Sequence, residues 1–328
     1  MPTTLCGYEL ADVRKSLRGA IAQRQIRPTH RWAAELVATP GAIGSLWSTL
    51  WLEACIPTLP ILLKQSWADV VAHIHATDGD WVAFRNSSDV RALVTEMTTR
   101  ILKSPRQAIP SWPAKDVTLY DVGVLKDGAL SANSDSPIVM GVWNRDVDAV
   151  ELRQMAGFWL DAIQKGDMRI VFSITQWTLT TPLKCGLRMP TTEGLTAKQR
   201  ASPIWFWFAL GSAFLRSKDV HRGWFTLHDA TVEAMILHFK RWSMVERHRI
   251  FLLWIQHLRS ALQVQDPNLW QIEAIQQAAA DIDLPYKEVS ADFAGQAVPA
   301  VKVMTSAERS AEKLRLADIQ LNALLGLN

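Results

Sequence analysis

LADVRKSLRGAI, residues 10–21, is the stretch that decides the fold class. Its apolar residues recur three or four positions apart, as on one face of an α-helix, and basic residues stand between them. The same spacing returns in IGSLWSTLWL, residues 43–52, and in other segments up to residue 103. Proline and glycine interrupt the pattern between these segments, so residues 1–103 are predicted to form an N-terminal helical bundle.

The middle of the chain has a different pattern from the segments on either side. Residues 104–146 contain three prolines between positions 104 and 114 and a polar stretch further on, which predicts an irregular linker or insertion. The pattern also allows one short β-hairpin in this region, with residues 117–125 paired to residues 138–142. Helical spacing resumes over residues 147–328, a predicted C-terminal helical domain. The whole chain is therefore expected to be mainly α.

Composition excludes several classes of protein. Of 328 residues, 48% are hydrophobic and 20% charged, and 35 Lys+Arg against 32 Asp+Glu leave a net charge of +3. A disordered chain needs lower hydrophobicity and more net charge. No apolar run reaches the roughly 18–20 residues that span a bilayer, so no membrane partner is expected. Cys6, Cys55 and Cys185 lack disulfide or zinc spacing, which predicts reduced thiols in an intracellular, cytosol-like compartment, nucleoid or nucleus included.

The sequence contains no local motif for catalysis or for a cofactor. It lacks a Walker-type phosphate loop, GxGxxG, GxSxG, HExxH and an EF-hand loop. His228, His238, His248 and His257 stand nine or ten positions apart, so no two of them are placed four apart on a helix as metal ligands would be. We therefore expect no catalytic residue, no metal and no cofactor. The alternative is an enzyme whose site is assembled from scattered residues, which a motif search does not detect.

Basic residues concentrate in two stretches, one near each end of the chain. Positions 12–31 hold six Lys or Arg and one acidic residue. Positions 221–259 hold six Lys or Arg and three acidic residues. Lysine and arginine neutralise the phosphates of nucleic acids, and the tryptophans between them offer flat faces on which bases can stack. The alternative is that the basic residues form a solvated surface and the tryptophans fill the core beneath it. The candidate nucleic-acid-binding residues are Arg14, Lys15, Arg18, Arg24, Arg27, Arg31, Lys240, Arg241, Arg247 and Arg249.

Tryptophan is abundant, with 15 Trp against 3 Tyr. Trp47 and Trp51 are four positions apart, as expected for the core side of one helix. Trp205 and Trp207 are two positions apart and cannot share one helix face. Together with Trp224 they are predicted to mark a partner interface, and a second element of the same chain is the other explanation.

Three short motifs resemble a known family. RKSLRGA (residues 14–20) is followed by HRWAAEL (residues 30–36) and then by Leu46-Trp47 with Leu50. This succession resembles the helical collar domain of clamp loaders and of the related replication-associated recombination ATPases. The matching residues are Lys15, Ser16, Arg18, Gly19, Trp32, Ala33, Glu35, Leu36, Leu46, Trp47 and Leu50. FWLDAIQKGDMR, residues 158–169, resembles the helix-plus-Gly-Asp element of the same family.

The resemblance covers residues 12–56 and 158–177, and its departures from the family shape what it implies. The AAA+ ATPase module and its Walker motifs do not occur in this sequence, and the family's Glu-Asp pair after the third helix is Glu53-Ala54 here. The resemblance thus implies a non-catalytic protein of a replication or repair complex that forms homo- or hetero-oligomers and contacts DNA. A structural or interaction subunit of another assembly, viral or organellar for example, is the alternative.

Overall fold

The computed structural model of the chain describes residues 3–54, 58–104, 133–187, 195–262 and 286–289. Within these ranges the fold is mainly α, as predicted, and β structure is limited to an isolated bridge between Thr3 and Glu9. A single helical turn occupies residues 286–289. The helices are α1 (Leu10–Ala22), α2 (Ile26–Ala38), α3 (Ile43–Glu53), α4 (Thr58–Ala76), α5 (Trp81–Asn86), α6 (Ser88–Lys103), α7 (Pro137–Met140), α8 (Val150–Lys165), α9 (Met168–Thr180), α10 (Ala197–Arg200), α11 (Pro203–Arg216), α12 (Arg222–His238) and α13 (Met244–Ala261).

Short-range chemistry accounts for several of the helix ends. Gly41 adopts φ +73° between α2 and α3, and Gly166 adopts φ +80° after α8, a conformation that glycine reaches without steric cost. Asp167 then starts α9, because its side chain accepts a hydrogen bond from the backbone N–H of Ile170. These local signals are why the helical pattern could be recognised in the sequence.

The predicted β-hairpin is wrong on its C-terminal side, where residues 137–140 form α7. Pro137 lies in the first turn of that helix, and Ser136 Oγ accepts a hydrogen bond from the backbone N–H of Val139 at 3.4 Å. Both features favour the start of a helix over an extended strand. The other half of the hairpin, residues 117–125, lies outside the described residues.

One hydrophobic cluster runs through both predicted helical domains. α1, α2 and α3 pack on one another, and α12 and α13 from the C-terminal half pack on α3. Trp242 also donates a hydrogen bond from Nε1 to the carbonyl oxygen of Ser48 at 3.0 Å, which joins the two halves. The division into residues 1–103, 104–146 and 147–328 stays a prediction, and the described parts of the two helical ranges share a core.

α11 lies inside this core, which corrects the prediction of a partner interface at its tryptophans. Trp205, Trp207 and Trp224 are at most 2% exposed. Trp207 donates to Thr178 Oγ1 at 2.8 Å, and the ring of Trp205 stacks on that of Phe239. Their irregular spacing arises because the chain's own helices cover α11 on more than one face. None of the helices in the described residues is long and apolar enough to cross a membrane.

Candidate functional site

The two basic stretches of the sequence meet where α1 and α3 pack against the beginning of α13. Six charged side chains gather there and are called the junction cluster below. They are Arg14 and Arg18 from α1, Glu53 from the end of α3, Arg241 from the turn after α12, and Glu246 and Arg249 from α13.

Three of the four ion pairs of the junction cluster join the two halves of the chain. Arg18 bonds to both carboxylates, from Nε to Glu53 Oε1 at 3.1 Å and from Nη1 to Glu246 Oε1 at 3.3 Å. Arg14 Nη2 lies 3.8 Å from the same Glu246 oxygen, and Arg249 Nη2 lies 3.5 Å from Glu53 Oε2. Three of the predicted phosphate-binding arginines are thus paired with the carboxylates of Glu53 and Glu246, and the sequence pattern predicted neither pairing.

Glu246 is positioned by local sequence as well as by its ion pairs. Its Oε2 atom accepts a hydrogen bond from the backbone N–H of Ser243 at 2.8 Å, and Ser243 Oγ accepts one from the N–H of Glu246 at 3.3 Å. This reciprocal capping box starts α13 and directs Oε1 toward Arg14 and Arg18. The Ser-x-x-Glu spacing could have been recognised in the sequence, whereas the partners of Oε1 could not.

Positive charge exceeds negative charge in the junction cluster, which has four guanidinium groups and two carboxylates. Burial lowers the pKa of Arg14; Glu246 raises it, and the neighbouring Arg18 and Arg241 lower it further. The guanidinium of Arg241 has no hydrogen-bond or ion-pair partner among the described residues. A concentration of partly desolvated positive charge stabilises a bound anion.

The guanidinium of Arg241 lies over the first turn of α3. A Cβ atom on Gly44 would be 2.5 Å from Arg241 Nη1, so only glycine leaves room for the arginine in this position. No side chain caps α3, and the backbone N–H groups of Ile43 and Gly44 have no acceptor among the described residues. A helix N-terminus carries a partial positive charge. The helix end and Arg241 therefore favour an anion at the same place.

His238, the last residue of α12, is buried beside this charge. It is 0% exposed, and neither ring nitrogen has a hydrogen-bond partner among the described residues. Burial, together with the nearby Arg241 and Arg14, lowers its pKa to about 3. The imidazole is therefore neutral at physiological pH and adds no charge to the junction cluster.

Other predicted nucleic-acid-binding residues lie apart from the junction cluster and have separate contacts. Arg31 pairs with the fully buried Glu35 at 3.1 Å, and Arg27 pairs with Glu288 of the helical turn at residues 286–289. Arg24 donates from Nη2 to the carbonyl oxygen of Ser104 at 3.2 Å. These arginines hold the chain's own segments in place.

The remaining candidates lie close to the junction cluster in sequence. Arg247 packs over the ring of Phe239, with its Cζ atom 4.2 Å from the ring centroid, and donates to the carbonyl oxygen of Phe239 at 3.4 Å. The side chains of Lys15 and Lys240 are exposed and have no hydrogen-bond or ion-pair partner among the described residues. Lys15 and Lys240 are the candidates whose charge is most available to solvent.

The described residues contain no group of three or more metal-ligating side chains. Comparisons with known protein families, with curated proteins and with solved structures found no match to this chain. The three motifs on which the expected collar resemblance rests lie in the consecutive helices α1, α2 and α3, and the resemblance itself stays a prediction. Two residues singled out with that resemblance, Arg18 and Glu53, contact each other in the junction cluster.

Proposed function

We propose that this protein is a non-catalytic helical assembly protein that binds the phosphate backbone of a nucleic acid at the junction cluster. The observation that carries the proposal is Arg241, a guanidinium without a partner among the described residues that lies over the uncapped first turn of α3. A phosphate placed there would accept hydrogen bonds from the arginine and from backbone N–H groups of the helix.

The surroundings of Arg241 support a polymer of phosphates more than a single anion. Lys240 is adjacent to it and exposed, and Lys15 is exposed on α1, the helix that supplies Arg14 and Arg18. Contacts to successive phosphates give affinity without sequence preference. The resemblance to the collar domain agrees with a role in a replication or repair complex and in an oligomer. The spacing of the cysteines agrees with a reducing intracellular compartment, and all of these parts belong to the proposal.

The test measures binding of a labelled DNA duplex and of a labelled RNA over a range of salt concentrations. A variant with Lys240→Glu and Arg241→Glu removes the solvent-facing charge without breaking the ion pairs of Arg14 and Arg18. We expect its affinity to fall at least tenfold, and the slope of log affinity against log salt to decrease by about 0.9 for each phosphate that the variant no longer neutralises.

A variant with Arg145→Glu and Lys198→Glu is the matched control, because it makes the same change in net charge at two exposed residues that have no ion pair among the described residues. Equal loss of binding in the control would mean that overall charge alone causes binding. Binding that does not depend on salt, or no binding at all, would contradict the nucleic-acid role. A turnover screen with nucleotides and nucleic acids tests the non-catalytic part.

A second candidate function is a structural or interaction subunit without a nucleic-acid role. Two adjacent apolar side chains at the start of α13 favour it, since Met244 is 62% exposed and Val245 is 74% exposed. Exposed apolar side chains next to each other are more typical of a binding surface than of a solvated helix. Light scattering after size exclusion, with and without DNA, separates the candidates. A stable oligomer that does not bind DNA supports this one, and an oligomer that binds DNA supports the first.

A further inference from the structure

A cavity of about 100 Å³ lies at the end of α2, between the N-terminal segment and the helical turn at residues 286–289. Its apolar part is formed by Leu5, Ala38 and Val289, and the polar part includes Arg85 and Asn86 from the end of α5. None of the described residues that line it carries a carboxylate. The cavity therefore combines an apolar surface with hydrogen-bond donors.

Arg91 holds the polar part of the cavity in position. Its Nε atom donates to the carbonyl oxygen of Arg85 at 3.0 Å, and its Nη2 atom donates to Asn86 Oδ1 at 2.9 Å. Its guanidinium also lies over the ring of Tyr286, with 4.6 Å between Cζ and the ring centroid. Because Oδ1 of Asn86 accepts from Arg91, the amide NH₂ group of Asn86 is left as a donor.

Arg85 supplies the charge that a ligand would meet. It is half-buried and lines the cavity, and its side chain has no hydrogen bond or ion pair with any described residue. A partly desolvated guanidinium without a counter-charge is unfavourable, and a carboxylate matches its two parallel donors. Arg85 and the NH₂ group of Asn86 together provide donors for the oxygens of one carboxylate.

We propose that this cavity binds a small carboxylate with a short aliphatic tail. The carboxylate bonds to Arg85 and Asn86, and the tail lies against Leu5, Ala38 and Val289. The size agrees, since a cavity of roughly 150 Å³ takes up benzene and a smaller cavity suits an acid of three or four carbons. The proposal does not depend on the junction cluster, which is formed by other residues.

Binding is expected to stabilise the contact between the helical turn and the N-terminal helices. Arg27 of α2 pairs with Glu288, and Cys6 Sγ lies 3.6 Å from the carbonyl oxygen of Val289. These two contacts attach the helical turn to α2 and to the N-terminal segment. A ligand that touches both the turn and α5 adds a further link between them. Ligand that binds only the folded chain raises the melting temperature as its concentration increases.

The test is isothermal titration and thermal unfolding of the full chain with propionate, with 1-propanol as a neutral ligand of similar size and with inorganic phosphate. We expect saturable binding of propionate, a rise in melting temperature with its concentration, and neither effect with 1-propanol. Arg85→Gln should weaken propionate binding about tenfold to a hundredfold, because it removes one charged hydrogen-bonding group.

Two further variants keep the result interpretable. Arg145→Gln makes the same change at an exposed position away from the cavity and should bind propionate like the unaltered chain. Asn86→Asp places a carboxylate beside Arg85 and should abolish binding while the fold is retained, as circular dichroism would show. Three results would overturn the proposal: no saturable binding of propionate, equal binding by Arg85→Gln, or binding of phosphate without binding of propionate.

Discussion

His238→Leu is the substitution that most directly tests the packing between the two halves of the chain. The imidazole lies between the rings of Trp67 and Trp242, with centroid distances of 6.3 and 5.1 Å, and its nitrogens have no hydrogen-bond partner among the described residues. Leucine has a similar volume and no polar atoms. Because a buried unsatisfied polar group costs about 1–3 kcal/mol, we expect the variant to be equal in stability at pH 7 or more stable by about 1 kcal/mol.

His238→Leu should also change how the stability of the folded chain depends on pH. The pKa of His238 is lowered to about 3 in the folded chain, whereas an unfolded histidine titrates near 6.5. Between these values the unfolded chain binds the proton and the folded chain does not, so stability falls as the pH falls below about 6.5. Between pH 7 and pH 5 the loss due to His238 is about 2 kcal/mol, and it should be absent in the leucine variant.

Urea unfolding followed by tryptophan fluorescence at pH 7 and pH 5 measures both effects. The free-energy difference between variant and unaltered chain should grow by about 2 kcal/mol in favour of the variant at the lower pH. Some pH dependence will persist, because burial and Arg216 also lower the pKa of His228 to about 4. His75→Leu, at an exposed position, controls for the loss of a histidine.

Either of two results would refute the reasoning on His238. A loss of more than about 2 kcal/mol in the variant at pH 7 would mean that the imidazole has a buried hydrogen-bond partner, such as an ordered water or a bound ligand. An unchanged difference between pH 7 and pH 5 would mean that His238 is protonated in the folded chain or is reached by solvent.

Two further predictions concern packing and charge. Gly211→Ala should lower stability by about 1–3 kcal/mol, because a Cβ atom there would lie 2.4 Å from Trp254 Cζ2, and this overlap outweighs the gain in helix propensity. Gly19→Ala, with no atom within 4 Å of its Cβ, should instead stabilise by up to about 1 kcal/mol, and a higher melting temperature for Gly211→Ala than for Gly19→Ala would disprove this packing. Glu53→Gln should cost roughly 1–3 kcal/mol in urea unfolding at low salt, since its side chain is 8% exposed while the two paired arginines remain partly solvated. Glu233→Gln, which breaks an exposed pair, should cost less than about 1 kcal/mol, and an equal cost for the two variants would mean that the burial of Glu53 does not strengthen its ion pairs.

Several helices could be predicted because their signals are local. In α1 the apolar residues Val13, Leu17 and Ile21 are buried on one face, as the spacing indicates. The helix at residues 137–140, where a strand was predicted, has a local cause too, because Ser136 and Pro137 favour a helix start while the apolar spacing of the next residues also fits a strand. The tryptophans of α11 show a different difficulty, because a helix covered on more than one face has no single apolar side, and its spacing does not reveal what covers it.

Only part of the candidate site could be predicted from the sequence. Two basic stretches could be recognised, and four of their residues, Arg14, Arg18, Arg241 and Arg249, meet in the junction cluster. The roles of Glu53 and Gly44 could not be predicted, since a lone glutamate and a glycine inside a helical pattern have no distinguishing local signal. The same applies to the cavity beside Arg85, which is closed by a helical turn near residue 286.

The sequence by itself thus determined the helical class and the concentration of positive charge in two stretches. Helix formation depends on residues three or four positions apart, which any short window of the chain contains. The tertiary structure alone decided which charges are paired: Glu53 meets Arg18 from 35 positions away and Arg249 from 196. Contacts at such separations depend on how the helices pack. That packing left the guanidinium groups of Arg241 and Arg85 without partners among the described residues, whereas the other arginines predicted to bind phosphate contact groups of the chain itself.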